Sequence, residues 1–354
     1  MKIPDHRRRL ERLLAMVPVP QVLVTDPEDI RWLTGFTGSN GWVLASSEGT
    51  LLVTDGRYVD QATAQCAEAG TRIEFAGGRS EMIGILTNSV TDELGFQDDR
   101  MTVSVHREIS NRIDRLVPIG QDVRELRREK DPTEIETIAR AARIADSALS
   151  ECADHIVPGR SEREIRDALE SAMRRHGADG PSYETIVATG ATNSARPHHR
   201  PTDTILREGD SVVIDVGALV DGYHSDMTRT FLLGEVESEL AGWWDLVLEA
   251  QDAGCRTVGP GVAAREVDEA CRRVFRAAGV EDRFVHGTGH GVGLLIHEEP
   301  YIGRNSPAIL RPGDVVTVEP GLYRDGLGGI RIEDLLVVTE NGFDRLTGSD
   351  KTPR

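Results

Sequence analysis

Val212–Thr230, VVIDVGALVDGYHSDMTRT, is the stretch from which the rest of the chain can be read. Val212, Val213 and Ile214 form an apolar β-branched run that suits a buried strand, and the run ends on a carboxylate, Asp215. A turn at Asp221-Gly222 follows, then a second acid, Asp226, and a Thr-rich segment, Met227 to Phe231, that suits a returning strand. The acids are 226 − 215 = 11 positions apart, a separation that a hairpin can close. Acids at the ends of buried strands are costly unless a cation or a base meets them. Taken alone, the stretch reads more simply as a surface hairpin with two solvated aspartates. Repetition elsewhere in the chain argues against that.

Pro158-Gly159, Arg163-Glu164-Ile165, Ala168 and Gly177 recur as Pro260-Gly261, Arg265-Glu266-Val267, Ala270 and Gly279, an offset of 260 − 158 = 102. Leu206-Arg207, Gly209-Asp210 and Asp215 recur as Leu310-Arg311, Gly313-Asp314 and Glu319, an offset of 310 − 206 = 104. Asp226 is answered by Glu333 within GIRIEDLLVV. An ordered series of this length indicates duplication. Two halves facing each other across a pseudo-twofold would bring four carboxylates into one cleft.

Four close carboxylates cannot all ionise without compensation. Two divalent cations would neutralise Asp215, Asp226, Glu319 and Glu333, so a dinuclear site is the natural match. The remaining ligand should be a histidine, and VHGTGHGVGLLIHE offers His286, His290 and His297 among glycines that let the backbone bend closely around an ion. Mixed carboxylate and imidazole ligation suits manganese, cobalt, zinc or iron better than calcium. His198, in RPHHRP, aligns with His297 under an offset of 99, as Pro201 does with Pro300, an alignment that would set the two across the cleft from opposite halves.

The remainder of the chain sets the frame. Its 354 residues favour two domains, and 39% hydrophobic with 28% charged residues is ordinary globular composition. A net charge of −18 argues against nucleic acid or an anionic membrane as main partner. Cys66, Cys152, Cys255 and Cys271 show no CxxC pairing, and the N-terminus lacks the apolar core of a signal peptide, so a cytoplasmic location is expected. No run is long enough to span a bilayer.

Asp5 to Met16 reads as a helix and Gln21 to Thr25 as a strand. Pro27-Glu28-Asp29 reads as a turn, and Ile30 to Gly41 as a glycine-punctuated connection. Strands at Trp42–Ser46 and Thr50–Thr54 precede a helix opened by Asp55 and running to Ala69. The charged run Val123–Glu136, with Asp131-Pro132, marks a boundary between an N-terminal domain, 1–127, and a catalytic domain, 128–354. The latter opens with amphipathic helices at Thr133–Val157 and Ser161–His176.

These motifs resemble those of the metal-dependent "pita-bread" peptidases, family M24: VVIDVGALVDGYHSDMTRT, HGTGHGVGLLIHE, VEPGLY and GIRIED match in order. TGFTGSNG and TDGRYVDQA resemble the creatinase-like N-terminal domain of the proline-specific members, so the likeness spans nearly the whole chain. The resemblance implies an α/β (α+β) protein, a creatinase-like N-terminal domain followed by a duplicated pita-bread catalytic domain. It implies a metallo-exopeptidase with two divalent ions, manganese first and cobalt, zinc or iron next. The substrate would be a proline-containing peptide and the assembly a homodimer.

Residue by residue, the resemblance implies that Asp226 and Glu333 bridge both metals, with Asp215 completing one site and His290 and Glu319 the other. Glu319 would also carry a proton from the attacking water to the leaving proline nitrogen. His286, His297 and His198 would steady the substrate and the tetrahedral intermediate, and Tyr323 and Arg331 would bind or orient substrate. One departure is Arg196, where relatives carry an apolar residue before Pro-His, which bears on the polarity of the substrate pocket. The expected activity is removal of an N-terminal residue ahead of proline, as an Xaa-Pro aminopeptidase. The alternatives are an Xaa-Pro dipeptidase, a non-catalytic binding module and a metal-free amidinohydrolase. A full ligand set argues against the last two.

Overall fold

The structure of the protein, a computed structural model, describes residues 4–352. The chain divides into two compact units, Met1–Arg127 and Arg128–Arg354.

The first unit is built on a six-stranded sheet. In spatial order its strands are Arg72–Phe75, Gly49–Thr54, Gly41–Ser46, Gln21–Val24, Glu93–Phe96 and Arg115–Pro118. The central three pair antiparallel, and the outer strands join in parallel, so the sheet is mixed. Leu23, Leu44 and Val53 from the sheet pack with Met82, Ile83, Leu86 and Ile109 from helices on one face.

Two local expectations change here. Pro27–Thr34 is a helix rather than a turn and connection. Asp26 caps it by accepting from the N–H groups of Glu28 and Asp29, Pro27 sits where a helix has no N–H to lose, and Gly35 ends it at φ +81. The helix after Asp55 is shorter than expected. Asp55 caps a single 3₁₀ turn, Gly56–Tyr58, and α-helix runs only over Val59–Gln65. Beneath the Pro27–Thr34 helix, the fully buried Asp29 carboxylate accepts from Arg127 at 2.8 Å and Gln97 at 2.5 Å.

The second unit is two copies of one motif. Each copy has a long helix, Pro132–Cys152 or Ser238–Thr257, followed by a shorter one, Glu162–Arg175 or Ala264–Ala277. The first long helix opens with a reciprocal cap between Asp131 and Glu134. The shorter helices bury residues four apart, Ile165, Leu169 and Met173 in one and Val267, Cys271 and Phe275 in the other. Each side chain of that kind contributes roughly 1.5–3 kcal/mol on burial.

The duplication extends to backbone hydrogen bonds. Gly159 donates to Leu206 as Gly261 does to Leu310, and Leu233 donates to Asp210 as Val338 does to Asp314. Asp210 and Asp314 each accept from the N–H three residues earlier, of Arg207 and Arg311. The strand Ser211–Asp215 lies between Ile186–Thr189 and Thr228–Leu232, and Val315–Val318 lies between Gly289–Gly291 and Asp334–Thr339.

Strand alternation then aims the acids. Val212 and Ile214 pack on the helices of their half, which turns Val213 and Asp215 to the opposite face. Val316 and Val318 do the same in the second half and turn Thr317 and Glu319.

Candidate metal centre

The two sheets enclose a cleft of about 870 Å³ whose walls include Asp215, Asp226, His290, Glu319 and Glu333. Asp215 ends its strand opposite Thr228 on the next one, and Asp226 lies just before that strand begins. The hairpin is not a single tight turn. Beyond Asp215 the chain joins a separate small sheet through Ala218–Val220 and Tyr223–His224, turning at Asp221, φ +46, and Gly222, φ +68. It returns by way of a hydrogen bond from Val216 N to Met227 O.

Asp226, His290 and Glu333 are buried, and each offers a ligand atom within 4.8 Å of the others. His290 Nε2 lies 3.5 Å from Asp226 and 3.4 Å from Glu319. A carbonyl only accepts, so the contact of His290 Nδ1 with Gly291 O at 3.1 Å puts the ring hydrogen on Nδ1. The Nε2 lone pair is then directed at the acids. Burial, with His297 nearby, lowers the His290 pKa to about 4 and keeps the ring neutral.

The acids are crowded. Burial and Asp215 push Asp226 well above the usual carboxylate range, and burial and Asp226 do the same to Glu333. Burial raises Glu319 to about 8. Arg331 is the cation among them, donating to Asp215 at 2.7 Å. Four carboxyls and an imidazole lone pair form a donor set that fits divalent cations, while the Arg331 guanidinium offsets part of the negative charge from beside Asp215.

The glycines around His290 act differently from the expectation. A Cβ on Gly289 would lie 2.0 Å from the Thr317 carbonyl oxygen, and one on Gly291 2.2 Å from that of Glu299. Both residues sit in a strand pressed against neighbouring backbone. They are needed for strand contact, and only through it for the placing of His290.

His198, His286 and His297 all line the cleft. His198 is exposed, and His297 stands edge-on to His290 at 4.3 Å between ring centres. His286 donates from Nδ1 to Gly287 O at 2.8 Å and accepts at Nε2 from the Tyr323 hydroxyl at 3.0 Å. Burial lowers its pKa to about 4, with Arg331 adding to the effect.

Tyr323 is itself buried and does not line the cleft; it reaches the site through His286 and Arg331. The Arg331 guanidinium does line the cleft, but it is held by Asp215, Thr228, Tyr323 and the Pro197 carbonyl. These two residues orient one another and Asp215. Arg196 is exposed and lies outside the cleft lining.

Two contributors were not anticipated. The Tyr183 hydroxyl touches Asp215 and Asp226, at 2.5 Å from the latter, and joins the acids of one hairpin. Thr228 donates to Glu333 at 2.6 Å. Tyr183 lies in a connection with no counterpart acid in the repeat, so the sequence carried no signal for it. Thr228 was visible only as part of a Thr-rich strand. Behind Glu333, Arg229 donates to its backbone carbonyl at 2.5 Å and to the buried Asp334 at 2.9 Å.

Comparison with known proteins agrees with this architecture. A family model for metallopeptidase family M24 matches residues 136–340, and one for the creatinase/prolidase N-terminal domain matches residues 7–128. The chain is 34% identical to a protein named Xaa-Pro dipeptidase from Pyrococcus furiosus, over 98% of this chain and 99% of that one. It is 34% identical to a putative Xaa-Pro aminopeptidase from Mycoplasma genitalium, over 93% and 92%. Among solved structures, an Xaa-Pro dipeptidase from Bacillus anthracis superposes with a TM-score of 0.94 at 37% identity, covering 99% of both chains.

Proposed function

Because the chain belongs to metallopeptidase family M24, we propose that it hydrolyses the bond between an N-terminal residue and a following proline. The observation that carries this reading is the convergence of Asp226, His290 and Glu333, beside Asp215 and Glu319, in an open cleft. In this reading those five side chains hold two divalent ions, manganese first, since two such ions balance four carboxylates. Bound metal supplies Lewis-acid polarisation of the scissile carbonyl and an acidified water.

Each of the chain's own groups has a task. Glu319, half-sheltered next to His290, takes a proton and returns it to the proline nitrogen. Asp215 is fixed by Arg331 and Tyr183, so its position does not depend on substrate. His286 is neutral and tied to Tyr323. A substrate carbonyl in place of the Tyr323 contact would require the ring hydrogen to move to Nε2, at the cost of the Gly287 bond. His198 and His297 flank the open side of the cleft.

Dipeptides are placed first among substrates, because the Bacillus anthracis and Pyrococcus furiosus relatives carry that name over nearly their whole lengths. This reverses the order expected from the N-terminal motifs. A dipeptidase must read the free carboxylate after proline. Of the arginines lining the cleft, Arg331 and Arg272 are buried in pairs with Asp215 and Asp268, whereas Arg304 is more than half exposed and gives one guanidinium nitrogen to Glu281 at 2.7 Å, which leaves its other donors for a carboxylate. Longer peptides are the second reading, favoured by the cleft's 870 Å³, near the top of the ~300–1,000 Å³ typical of small-ligand sites.

Comparing an Xaa-Pro dipeptide with an Xaa-Pro-Yaa tripeptide tests both readings. With dipeptides as substrate, Arg304→Ala should raise KM for the dipeptide about tenfold or more, the loss of one charge-assisted contact. Equal turnover of both peptides, with Arg304→Ala neutral, would favour the aminopeptidase reading. No cleavage of either at saturating manganese would remove the function.

We also propose a homodimer and a cytoplasmic location, the latter supported by four buried free cysteines. Among the described residues no helix is long and apolar enough to cross a membrane. An active monomer in light scattering would count against the dimer.

A further inference from the structure

We propose that Glu162 is a positioning residue of the site, its buried carboxylate holding the 189–202 loop so that His198 faces the cleft. The proposal rests on the peptidase reading above, with His198, at the open side of the cleft, taken as the group that steadies substrate.

Glu162 stands in the first turn of the Glu162–Arg175 helix, and its side chain is 0% exposed. One carboxylate oxygen accepts from Thr189 N at 2.9 Å and Asn193 Nδ2 at 3.0 Å. The other accepts from His199 Nε2 at 2.9 Å, Thr202 N at 2.8 Å and Thr202 Oγ1 at 2.8 Å. The donors thus span the end of the Ile186–Thr189 strand, the following turn and the far side of the Pro197–Pro201 loop. His198 lies between the Asn193 and His199 anchors. On its other side the preceding carbonyl, Pro197 O, accepts from Arg331 at 2.9 Å, and Arg331 holds Asp215. The main chain on either side of His198 is thereby held, by Glu162 from behind and by Arg331 from the side of the acid cluster.

The duplication shows that the fold itself does not require this carboxylate. The counterpart of Glu162 at the 102-residue offset is Ala264. The two backbones do the same thing: Glu162 N donates to Thr204 O at 3.1 Å, and Ala264 N to Ala308 O at 2.9 Å. A methyl group suffices in one half. The second half holds its own histidine segment by other means, with Arg272 donating to His286 O at 2.6 Å and Thr288 donating to Asp268 at 2.9 Å. Each shorter helix therefore anchors one histidine of the cleft, with different residues in the two copies.

Glu162→Gln keeps the volume but puts an amide, which cannot accept, where one oxygen took two or three donors. It should lower kcat/KM for an Xaa-Pro dipeptide by about 10–100-fold, the scale of a misplaced contact group, with metal content unchanged. In a His198→Ala background the same substitution should cost under about twofold, because the group it acts through is gone. An equal cost in both backgrounds would overturn the proposal. His199→Gln, which retains an N–H donor, should keep more activity than His199→Ala, and equal losses would also overturn it. If the wild-type chain cleaves no Xaa-Pro peptide, the peptidase reading fails separately. Imidazole NMR still decides the positioning: Glu162→Gln must shift the His198 ring resonances and leave those of His290 in place, and an unmoved His198 would refute it.

Discussion

Thr228 and Glu333 come from different halves of the duplicated unit and clasp each other twice. The Thr228 hydroxyl donates to the Glu333 carboxylate at 2.6 Å, and Glu333 N donates to Thr228 O at 3.1 Å. The threonine of one copy therefore sets the orientation of the acid from the other. The same hydroxyl oxygen accepts from Arg331 Nε at 3.0 Å, so it also fixes the cation that holds Asp215.

Thr228→Val should leave both partners short of a bond at nearly constant volume. We expect a stability loss of about 1–3 kcal/mol in denaturant titration. We also expect metal affinity to weaken by about 10–100-fold, as for other groups that orient a ligand. Thr228→Ser should restore most of both. A valine variant with unaltered metal affinity would show that Glu333 is set by its backbone alone.

Glu319→Gln and His290→Ala should separate proton transfer from ligation. Glutamine keeps a neutral oxygen and loses the basic site, so turnover should drop by about 10²–10⁴ even at saturating metal. Alanine at 290 deletes the Nε2 lone pair, and its activity should recover in part as metal concentration rises. Near-full turnover of Glu319→Gln with metal bound would end the proton-carrier role.

Metal loading should release protons. Asp226 and Glu333 are raised well above the usual carboxylate range and Glu319 to about 8, so without metal the cluster holds protons at neutral pH. A cation needs the ionised forms, so affinity should rise with pH across the neutral range, with release on the order of one or more protons per chain. Calorimetric titration in two buffers of different ionisation enthalpy measures this. Identical heats in both would contradict it.

In the first unit, Arg127→Met should cost about 1–2 kcal/mol at about pH 8, because the fully buried Asp29 then stays protonated where the wild-type pair is ionised. Burial raises the Asp29 carboxyl and Arg127 draws it down, so removing Arg127 leaves mainly the upward push. A folded pKa above the unfolded 3.8 means that the stability contribution is present at low pH and lost as pH rises through the folded value. The deficit against wild type should therefore shrink toward about pH 4. A pH-independent deficit would mean that the carboxylate finds another donor.

The acids were legible because duplication writes them twice: Asp215 and Glu319 end equivalent strands, and strand alternation turns both to the cleft. The histidine candidates were legible as a set, and only the Nδ1 contacts of His286 and His290 show which nitrogens remain available. Tyr183, Thr228 and Glu162 were not legible. Each acts through a hydrogen bond set by the packing of segments distant in sequence, and a hydroxyl or a lone carboxylate carries no periodic signature. The Pro27–Thr34 helix was missed for a different reason. Asp26-Pro27-Glu28-Asp29 has the residues of a helix start, but an Asp-Pro pair reads equally well as a turn, and eight residues are too few for periodicity to decide.

The contacts that join the two copies also bear on how the chain is made. Asp215 leaves the ribosome 319 − 215 = 104 residues before Glu319. At ~5–20 residues per second, that is a wait of roughly 5–20 s. During it, Thr228 and Thr230 have no Glu333 or Arg331 to meet. The first copy is then in the position of a subunit awaiting its partner, except that the partner is still being translated on the same chain.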